Sequence, residues 1–426
     1  MGIDTNFNVG QYEAMMQRSP LGQPSAAGPL GGVRVVDLTT SYAGPTASMY
    51  LADLGADVVK VERPGIGDEA RSWGPPFSNG MSAWFASANR NKRSVVLNLG
   101  SAEGREVLDS LIGQADVFME SMNPVKLERL GLEPAVLRAR FPRLVYCAMS
   151  GYGLDGPERR TPGYDLAAQA RSGLMSVTGA KGGPPQRVST ALSDIVTGMS
   201  GALAVSAALL RQRADGTGDL VDVSLLDTDM ALMAPRISAF LAGEPEPEPS
   251  GGTDSVLAVY QPFQTGDRDI VVAIGNDGMW QRFCAAVGLP ELAADPALHD
   301  NAGRRANRER ITEVVARHLT QRTAAQWLKI LAEVQVPSSL VQTLSEVVAD
   351  PQVEARGHVL PAPGADGLYS VRSPFRLASI GQLRNSRCPD LGAHTREVLE
   401  ELGLSGERIT ELARAGAIQL EAGPQE

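Results

Sequence analysis

Residues 31–65 read G-G-V-R-V-V-D-L-T-T-S-Y-A-G-P-T-A-S-M-Y-L-A-D-L-G-A-D-V-V-K-V-E-R-P-G. An apolar, β-branched run passes through a turn of small residues into one amphipathic helix, then into a second apolar run that ends at Glu62 and Arg63. Near-continuous apolar runs are what strands covered on both faces look like. Strand, turn, helix, strand is the unit from which a parallel sheet is built, and in such sheets the turn after the first strand faces a ligand. This segment therefore predicts both the fold class and the end of the sheet where chemistry takes place.

Working outward, apolar runs at Val33–Leu38, Val58–Val61, Ser94–Leu97, Val117–Met119 and Leu144–Ala148 alternate with helical patterns at 46–54, 103–114, 125–130 and 134–140. The alternation predicts an α/β domain with a doubly wound, mostly parallel, Rossmann-like sheet. A long helical stretch from Asp194 to Arg213 follows, with Gly198 and Gly201 placed for close helix packing, and residues 222–241 read as another helix. The run Glu244-Pro245-Glu246-Pro247-Glu248-Pro249-Ser250-Gly251-Gly252 breaks all periodicity and reads as a linker or mobile loop. Beyond it, Tyr260–Phe263, a turn at Gly266-Asp267 and Ile270–Ile274 predict an antiparallel hairpin, followed by helices through 332. The expected organisation is an arm at 1–28, the first part of a large domain at 29–224, a smaller α+β domain at 225–330, and a C-terminal segment at 331–426. That last segment returns to strand and helix patterns and is expected to complete the large sheet, which would then be built from both ends of the chain.

The chain has 426 residues, 43% of them hydrophobic, which is enough to bury the cores of two or three domains. A net charge of −10 argues against a nucleic-acid partner, because a phosphate backbone rewards clustered Lys and Arg. Local pairs of arginines can still bind anionic small molecules. Cys147, Cys284 and Cys388 are far apart and odd in number, fitting neither a disulfide framework nor a zinc site; a reducing, cytoplasmic setting is expected. No apolar run approaching the roughly 20 residues of a membrane span is read, so no membrane partner is expected.

His299, His318, His358 and His394 lack ligand partners at metal-site spacings, and no metal is expected. The sequence has no G-x-S-x-G elbow and no G-x-x-x-x-G-K-[ST] loop, and Tyr42-Ala43-Gly44-Pro45 stands where a dinucleotide fingerprint would follow the first strand. Candidates are therefore the polar residues at the ends of apolar runs: Arg63, Asn91-Lys92-Arg93, Glu120-Ser121, Arg129 and Asp194. In Ala191-Leu192-Ser193-Asp194-Ile195 the aspartate reads either as a helix cap or as a nucleophile presented at a helix N-terminus, and the pattern alone favours the cap. Lys92 and Arg93 divide evenly between a structural and a functional role.

The segments G-A-D-V-V-K-V-E-R-P-G, N-R-N-K-R-S-V-V-L-N-L, L-E-R-L-G-L, S-G-Y-G-x-x-G-P, A-L-S-D-I-V-T-G, G-N-D-G-M-W-Q-R-F-C and G-A-H-T-R-E-V-L-E-E-L-G resemble, in this order, the class III coenzyme A transferases. This is the family of formyl-CoA transferase and carnitine CoA-transferase, with the α-methylacyl-CoA racemases as a related branch. The resemblance implies that Asp194 is the nucleophile, forming an aspartyl anhydride and then an aspartyl-CoA thioester. Being ionised at neutral pH, it would need no general base. The resemblance also implies that backbone N–H groups of Gly251 and Gly252 stabilise an oxyanion. It places Arg63 and Arg129 on the nucleotide of coenzyme A, and Tyr42, Ala43, Leu97, Asn98, Gly100, Ser121, Met122, Gly163, Tyr164 and Asp165 along the cofactor cleft.

Tyr42 stands where formyl-CoA transferase carries a glutamine, and Ser121 where relatives often have asparagine, which argues against formate and oxalate as substrates. A racemase would need a histidine in G-H-D where this chain has Gly163-Tyr164-Asp165, and tyrosine is a poor base. The expected activity is transfer of coenzyme A from an acyl-CoA donor, succinyl-CoA being the expected one, to a small carboxylic acid. Coenzyme A is a substrate here, with no tightly bound cofactor, and the resemblance implies an interlocked homodimer. The alternatives are a 2-methylacyl-CoA racemase of the same fold and a non-catalytic CoA-binding subunit of a heteromeric transferase.

Overall fold

The computed structural model describes residues 28–363, 367–378, 380 and 384–421. Apart from Gly28, the arm read at 1–28 lies outside the described residues. The described chain forms two compact units: one comprises residues up to Ser172, Ser189–Leu232 and residues from Gly357 onward, the other Gly173–Val188 and Met233–Arg356.

The first unit is built on a seven-stranded sheet. Its strands are β1 (Arg34–Leu38), β2 (Asp57–Glu62), β3 (Lys92–Leu97), β4 (Val117–Glu120), β5 (Val145–Ser150), β6 (Leu220–Ser224) and β7 (Ile418–Gln419), in the spatial order β7-β3-β2-β1-β4-β5-β6. All neighbours pair in parallel except β7, which joins β3 antiparallel from near the C-terminus of the chain. The order 3-2-1-4-5-6 reverses between β1 and β4, and ligands of open α/β sheets bind at that switch point, outside the carboxyl ends of the strands.

Alternate residues of each strand feed two cores. Val36, Val59, Val95, Phe118 and Tyr146 pack on one face, Val35, Val58, Val117, Val145 and Cys147 on the other. The first face is covered by α3 (Ala102–Gly113) and by two helices from the end of the chain, Thr395–Glu401 and Gly406–Arg414. The second is covered by α1 (Ala43–Asp53) and α7 (Leu192–Asp215). Between them along the chain lie α2 (Ala83–Asn89), α4 (Pro124–Leu130), α5 (Pro134–Arg140) and α6 (Asp165–Arg171).

The glycines expected to let helices approach do so. A Cβ on Gly198 would stand 2.8 Å from Thr46 Cβ, and one on Gly201 would stand 3.4 Å from Ala47 Cβ, so α7 lies directly on α1. By length and composition α7 is apolar enough to cross a membrane, which corrects the expectation that no such run exists. Its Ala202, Val205, Ala208 and Leu209 are buried in the core on the sheet.

The helix read over 222–241 is corrected at its start. Residues 220–224 are the edge strand β6, and α8 (Leu225–Leu241) begins at the next residue. With no loop between strand and helix, the sequence carries no turn signal at the boundary.

The second unit holds the expected hairpin, Tyr260–Gln264 paired antiparallel with Asp269–Ala273, extended by Ser338–Leu340 on the other side of the latter strand. Helices Asp277–Val287, Arg308–Leu319 and Ala324–Glu333 close its core around Trp280, Phe283 and Trp327. This unit runs to Arg356, past the boundary at 330, because Ser338–Leu340 belongs to its sheet. It also takes in Gly173–Val188 and begins again at Met233, inside α8, where 225 was expected.

Asn91, Lys92 and Arg93 are structural. Asn91 Nδ2 donates to Asp53 Oδ1 at 2.8 Å, Lys92 is buried against Asp37, and Arg93 pairs with Asp57, Glu397 and Glu401. Beside them Arg90 makes a fork to Asp53 at 2.5 and 3.0 Å, with side-chain exposures of 3% and 1%, and its third nitrogen donates to the Val371 carbonyl. Removing one partner of a buried pair leaves an uncompensated charge. Arg90→Ala is therefore expected to lower stability by about 3–5 kcal/mol in urea unfolding. Arg140→Ala, which removes the exposed pair with Asp109, is expected to cost about 1 kcal/mol or less.

Candidate active site

At the carboxyl end of the sheet the chain leaves β1 through Thr39, Thr40, Ser41 and Tyr42 before entering α1. Gly44 is required there, since a Cβ would stand 2.3 Å from Thr39 Cβ. Ser41 takes a left-handed φ of 70°, costly for a non-glycine residue. It is held by Asp68, which accepts its N–H at 3.0 Å, and by Glu69, which accepts its hydroxyl. Thr40 N–H donates to Ser121 Oγ at 3.1 Å across the switch point between β1 and β4.

Two cavities meet on this loop and share Thr40, Glu69 and Met122 in their walls. The larger, about 620 Å³, is lined by Arg63, Leu97, Asn98, Leu99, Gly100, Arg105, Lys126 and Arg129, among others. Its cations outnumber their partners. Among the described residues Arg63 Nε donates to the Gly67 carbonyl, at 2.9 Å, and Arg105 Nη1 to the Leu99 and Gly100 carbonyls, at 3.1 and 3.5 Å, and neither guanidinium meets a carboxylate. Burial lowers the Lys126 ammonium, and the nearby charges of Arg63 and Arg129 lower it further. A cluster of mutually repelling cations in a concave wall is a site for a polyanion.

The smaller cavity, about 300 Å³, is lined by Ala43, Gly44, Glu120, Ser121, Gly163, Tyr164 and Asp194, with Arg159 and Arg160 at its loop wall. Asp194 is the third residue of α7, so the cap reading fails: the cap position is Ala191, whose side chain makes no capping bond. No hydrogen bond to the Asp194 carboxylate occurs among the described residues. Burial and the nearby carboxylates of Asp165 and Asp229 push it up to about 7. This corrects the expectation of a fully ionised group at neutral pH.

The two neighbouring acids are themselves fixed. Asp165 accepts from Gln169 Nε2 at 2.7 Å and from Ser193 N–H at 2.8 Å, while the Ser193 hydroxyl donates to Asp229 Oδ2 at 2.8 Å. Asp165 thus satisfies one of the N–H groups that the start of α7 leaves open.

Of the residues singled out from sequence, Arg63, Leu97, Asn98, Gly100, Met122 and Arg129 come together in the larger cavity. Ala43, Ser121, Met122, Gly163, Tyr164 and Asp194 come together in the smaller one. Asp165 lies in neither wall and instead holds α7 in place. Tyr42 is likewise behind the wall: its hydroxyl is 2.8 Å from Ser87 Oγ and its ring packs edge-on against Trp84. Burial raises the Tyr42 hydroxyl, the Ser87 bond opposes this, and the Asp194 carboxylate adds to it. Gly251 and Gly252 belong to the second unit, with left-handed φ of 65° and 86°; the Gly251 N–H is engaged by the Gly179 carbonyl at 2.9 Å.

Sequence reading missed Arg105, Lys126, Arg159 and Asp229. Lys126 had a signal, since it stands three residues before Arg129 and so on the same helix face. Asp229 had none.

A family model described as CoA-transferase family III matches residues 30–395. The chain is 36% identical over 376 residues to the succinyl-CoA:glutarate CoA-transferase of Mus musculus, covering 88% of this chain and 86% of that one. It is 36% identical over 390 residues to the succinyl-CoA:mesaconate CoA-transferase of Haloarcula marismortui, covering 88% and 97%. The crystal structure of a CAIB/BAIF family protein from Brucella suis superposes with a TM-score of 0.77 at 35% identity, covering 88% of this chain and all of that one.

Because the folded protein holds a proton on Asp194 up to about pH 7 while the unfolded chain releases it near pH 4, this group's contribution to stability falls as pH rises between those values. Above pH 7 the folded state carries a half-buried charge with no hydrogen-bond partner among the described residues. Asp194→Asn is expected to match the parent near pH 4, to gain roughly 1.4 kcal/mol per pH unit above that, and to level off near pH 7 at an advantage on the order of 4 kcal/mol. Denaturant midpoints across pH check this.

Proposed function

The chain belongs to CoA-transferase family III and is an enzyme of that class, and on that premise we propose that it moves coenzyme A from succinyl-CoA to a small dicarboxylic acid through covalent intermediates on Asp194. The observation that carries this reading is the pair of confluent cavities, cationic in one and ending on the Asp194 carboxylate in the other. Coenzyme A has the matching shape: phosphates at one end, an apolar arm, and a thioester at the other. Arg63, Arg105, Lys126 and Arg129 receive the phosphates, and the arm passes Thr40 and Met122.

An Asp194 oxygen attacks the thioester carbonyl and expels CoA thiolate, leaving a mixed anhydride of Asp194 with the acyl group. The thiolate returns to the Asp194 carbonyl carbon, forming an aspartyl-CoA thioester and releasing the donor acid as its carboxylate. The acceptor carboxylate then attacks that aspartyl carbon and expels the thiolate again. In the last step the thiolate takes the acceptor's acyl carbon, giving the new acyl-CoA and the Asp194 carboxylate. No proton is consumed or released overall, so no histidine is needed. Burial beside Asp165 and Asp229 makes Asp194 a more basic, hence stronger, nucleophile than an exposed aspartate.

Relatives that act on glutarate and mesaconate support a dicarboxylic acceptor. A homodimer is part of the proposal. The exposed face of α7 carries Met199, Leu203 and Leu210, the last two 74% and 70% accessible, as an apolar stripe fit to be covered by a second copy.

Asp194→Asn is expected to lower turnover of succinyl-CoA with glutarate by at least about a thousandfold while changing CoA affinity less than about threefold. Hydroxylamine added with succinyl-CoA should trap a hydroxamate on Asp194 of the parent and none on the variant. Unchanged turnover would end the proposed role. Arg129→Ala is expected to weaken CoA binding by roughly tenfold, read by calorimetry, with the loss shrinking as salt is raised.

A further inference from the structure

The loop from β5 to α6, residues 151–164, is cinched at its neck. A Cβ on Gly151 would stand 2.6 Å from Gly163 Cα, and one on Gly163 would stand 2.3 Å from Gly151 Cα, so the two stems touch backbone to backbone. Two charged side chains near the tip of the loop are tied down. Glu158 accepts the Thr161 hydroxyl at 2.5 Å and faces the Arg171 guanidinium at 3.2 Å, and Arg160 Nη2 reaches Glu128 Oε1 on α4 at 2.8 Å. Between these anchors stands Arg159, exposed, with no acidic partner among the described residues, in the wall of the same cavity as Asp194. The other charges lining that cavity are Glu69, which is engaged by Ser41 and Tyr164, Glu120, which accepts the Met122 N–H at 2.7 Å, and the anchored Arg160.

A guanidinium on a loop whose two adjacent residues are anchored, without a counter-ion among the described residues and in the same cavity wall as a side chain that binds two acids in turn, is a recognition group for a second carboxylate. We infer that Arg159 is the specificity-determining residue of the smaller cavity, receiving the far carboxylate of a dicarboxylic substrate while its near carboxyl carbon lies at Asp194. Donor acyl group and acceptor acid each form an anhydride with the same side chain, so both occupy this cavity in turn and both are selected by the same cation. The inference rests on the transferase reading above. It adds to that reading the residue that reads the substrate and the reason why donor and acceptor share one chemistry.

The test is the ratio of kcat/KM for glutarate to that for butyrate, with succinyl-CoA as donor, in the parent and in Arg159→Gln and Arg159→Lys. The ratio is expected to fall by about tenfold or more in the glutamine variant and to be partly restored by lysine. Calorimetric binding of succinyl-CoA against butyryl-CoA supplies a readout that needs no turnover: the preference of the parent for succinyl-CoA should vanish in Arg159→Gln. An unchanged ratio overturns the assignment. So does an equal loss of affinity for both thioesters, since Arg159 would then serve coenzyme A itself. If the parent transfers coenzyme A to neither acid, it is the transferase reading that fails, and the binding comparison alone decides Arg159.

Discussion

The turn on which both cavities meet is held from below by four charged side chains with no access to solvent. Lys60 Nζ lies 2.7 Å from Asp68 Oδ2 and donates to the Thr39 carbonyl at 2.9 Å, and Lys92 Nζ lies 3.3 Å from Asp37 Oδ2. Asp37 and Lys60 are direct neighbours in the parallel register of β1 and β2. Asp37 in turn accepts the Thr39 N–H and the Ser48 hydroxyl at 2.9 and 2.6 Å, tying the start of the turn to α1. Two positive and two negative charges balance. Burial would raise Asp37, but Lys92 and Lys60 hold it below the usual carboxylate range. Burial brings Lys92 down to about 8, whereas the closer contact with Asp68 keeps Lys60 above its ordinary value. Such a cluster is weak evidence of net stability, because desolvation offsets most of the attraction. What it provides is a single arrangement, since moving any one member strands the others. The left-handed Ser41 and the close contact at Gly44 persist because Asp68 and Asp37 fix both ends of the turn.

Asp194 is built on the opposite principle. Where the cluster under the turn balances its charges, the N-terminal end of α7 gathers three carboxylates, two of them engaged by Ser193 and the third left open to the cavity. The local consequence is a carboxyl group that resists ionisation and is more basic than an exposed aspartate. Helix α7 tolerates this because it is anchored elsewhere, by glycine contacts with α1 and by Ala202, Val205 and Leu209 in the core. The two cavities differ in the same way: Arg63, Arg105, Lys126 and Arg129 line the larger, Asp194 opens into the smaller, and Thr40 and Met122 belong to the wall of both.

Much of the fold was legible because strands buried on both faces leave unbroken apolar runs, and all five runs read between Val33 and Ala148 became strands of the sheet. The edge strand β6 escaped because it has polar Asp222 on its open side and flows into α8 without a turn. Ser338–Leu340 escaped because a three-residue strand at the rim of a small sheet leaves almost no pattern. Lys92 read as a charge before a strand and Lys60 drew no reading at all, and nothing in a linear reading says that both are wholly enclosed.

By itself the sequence determined the first five strands of the large sheet, the family, and the candidate nucleophile, because periodicity, turn chemistry and short motifs are local properties that survive in one dimension. Only the tertiary structure decided the upward shift of Asp194, the partnership of Lys60 with Asp68, the retreat of Asp165 and Tyr42 behind the cavity wall, and the place of Arg159 in that wall without an acidic partner among the described residues. Each of these depends on how many charges share a small, poorly hydrated space. Asp165 and Ser193 are 28 positions apart, and Ser193 and Asp229 are 36 apart; burial and Coulomb terms act through distance in space, which the order of residues does not record.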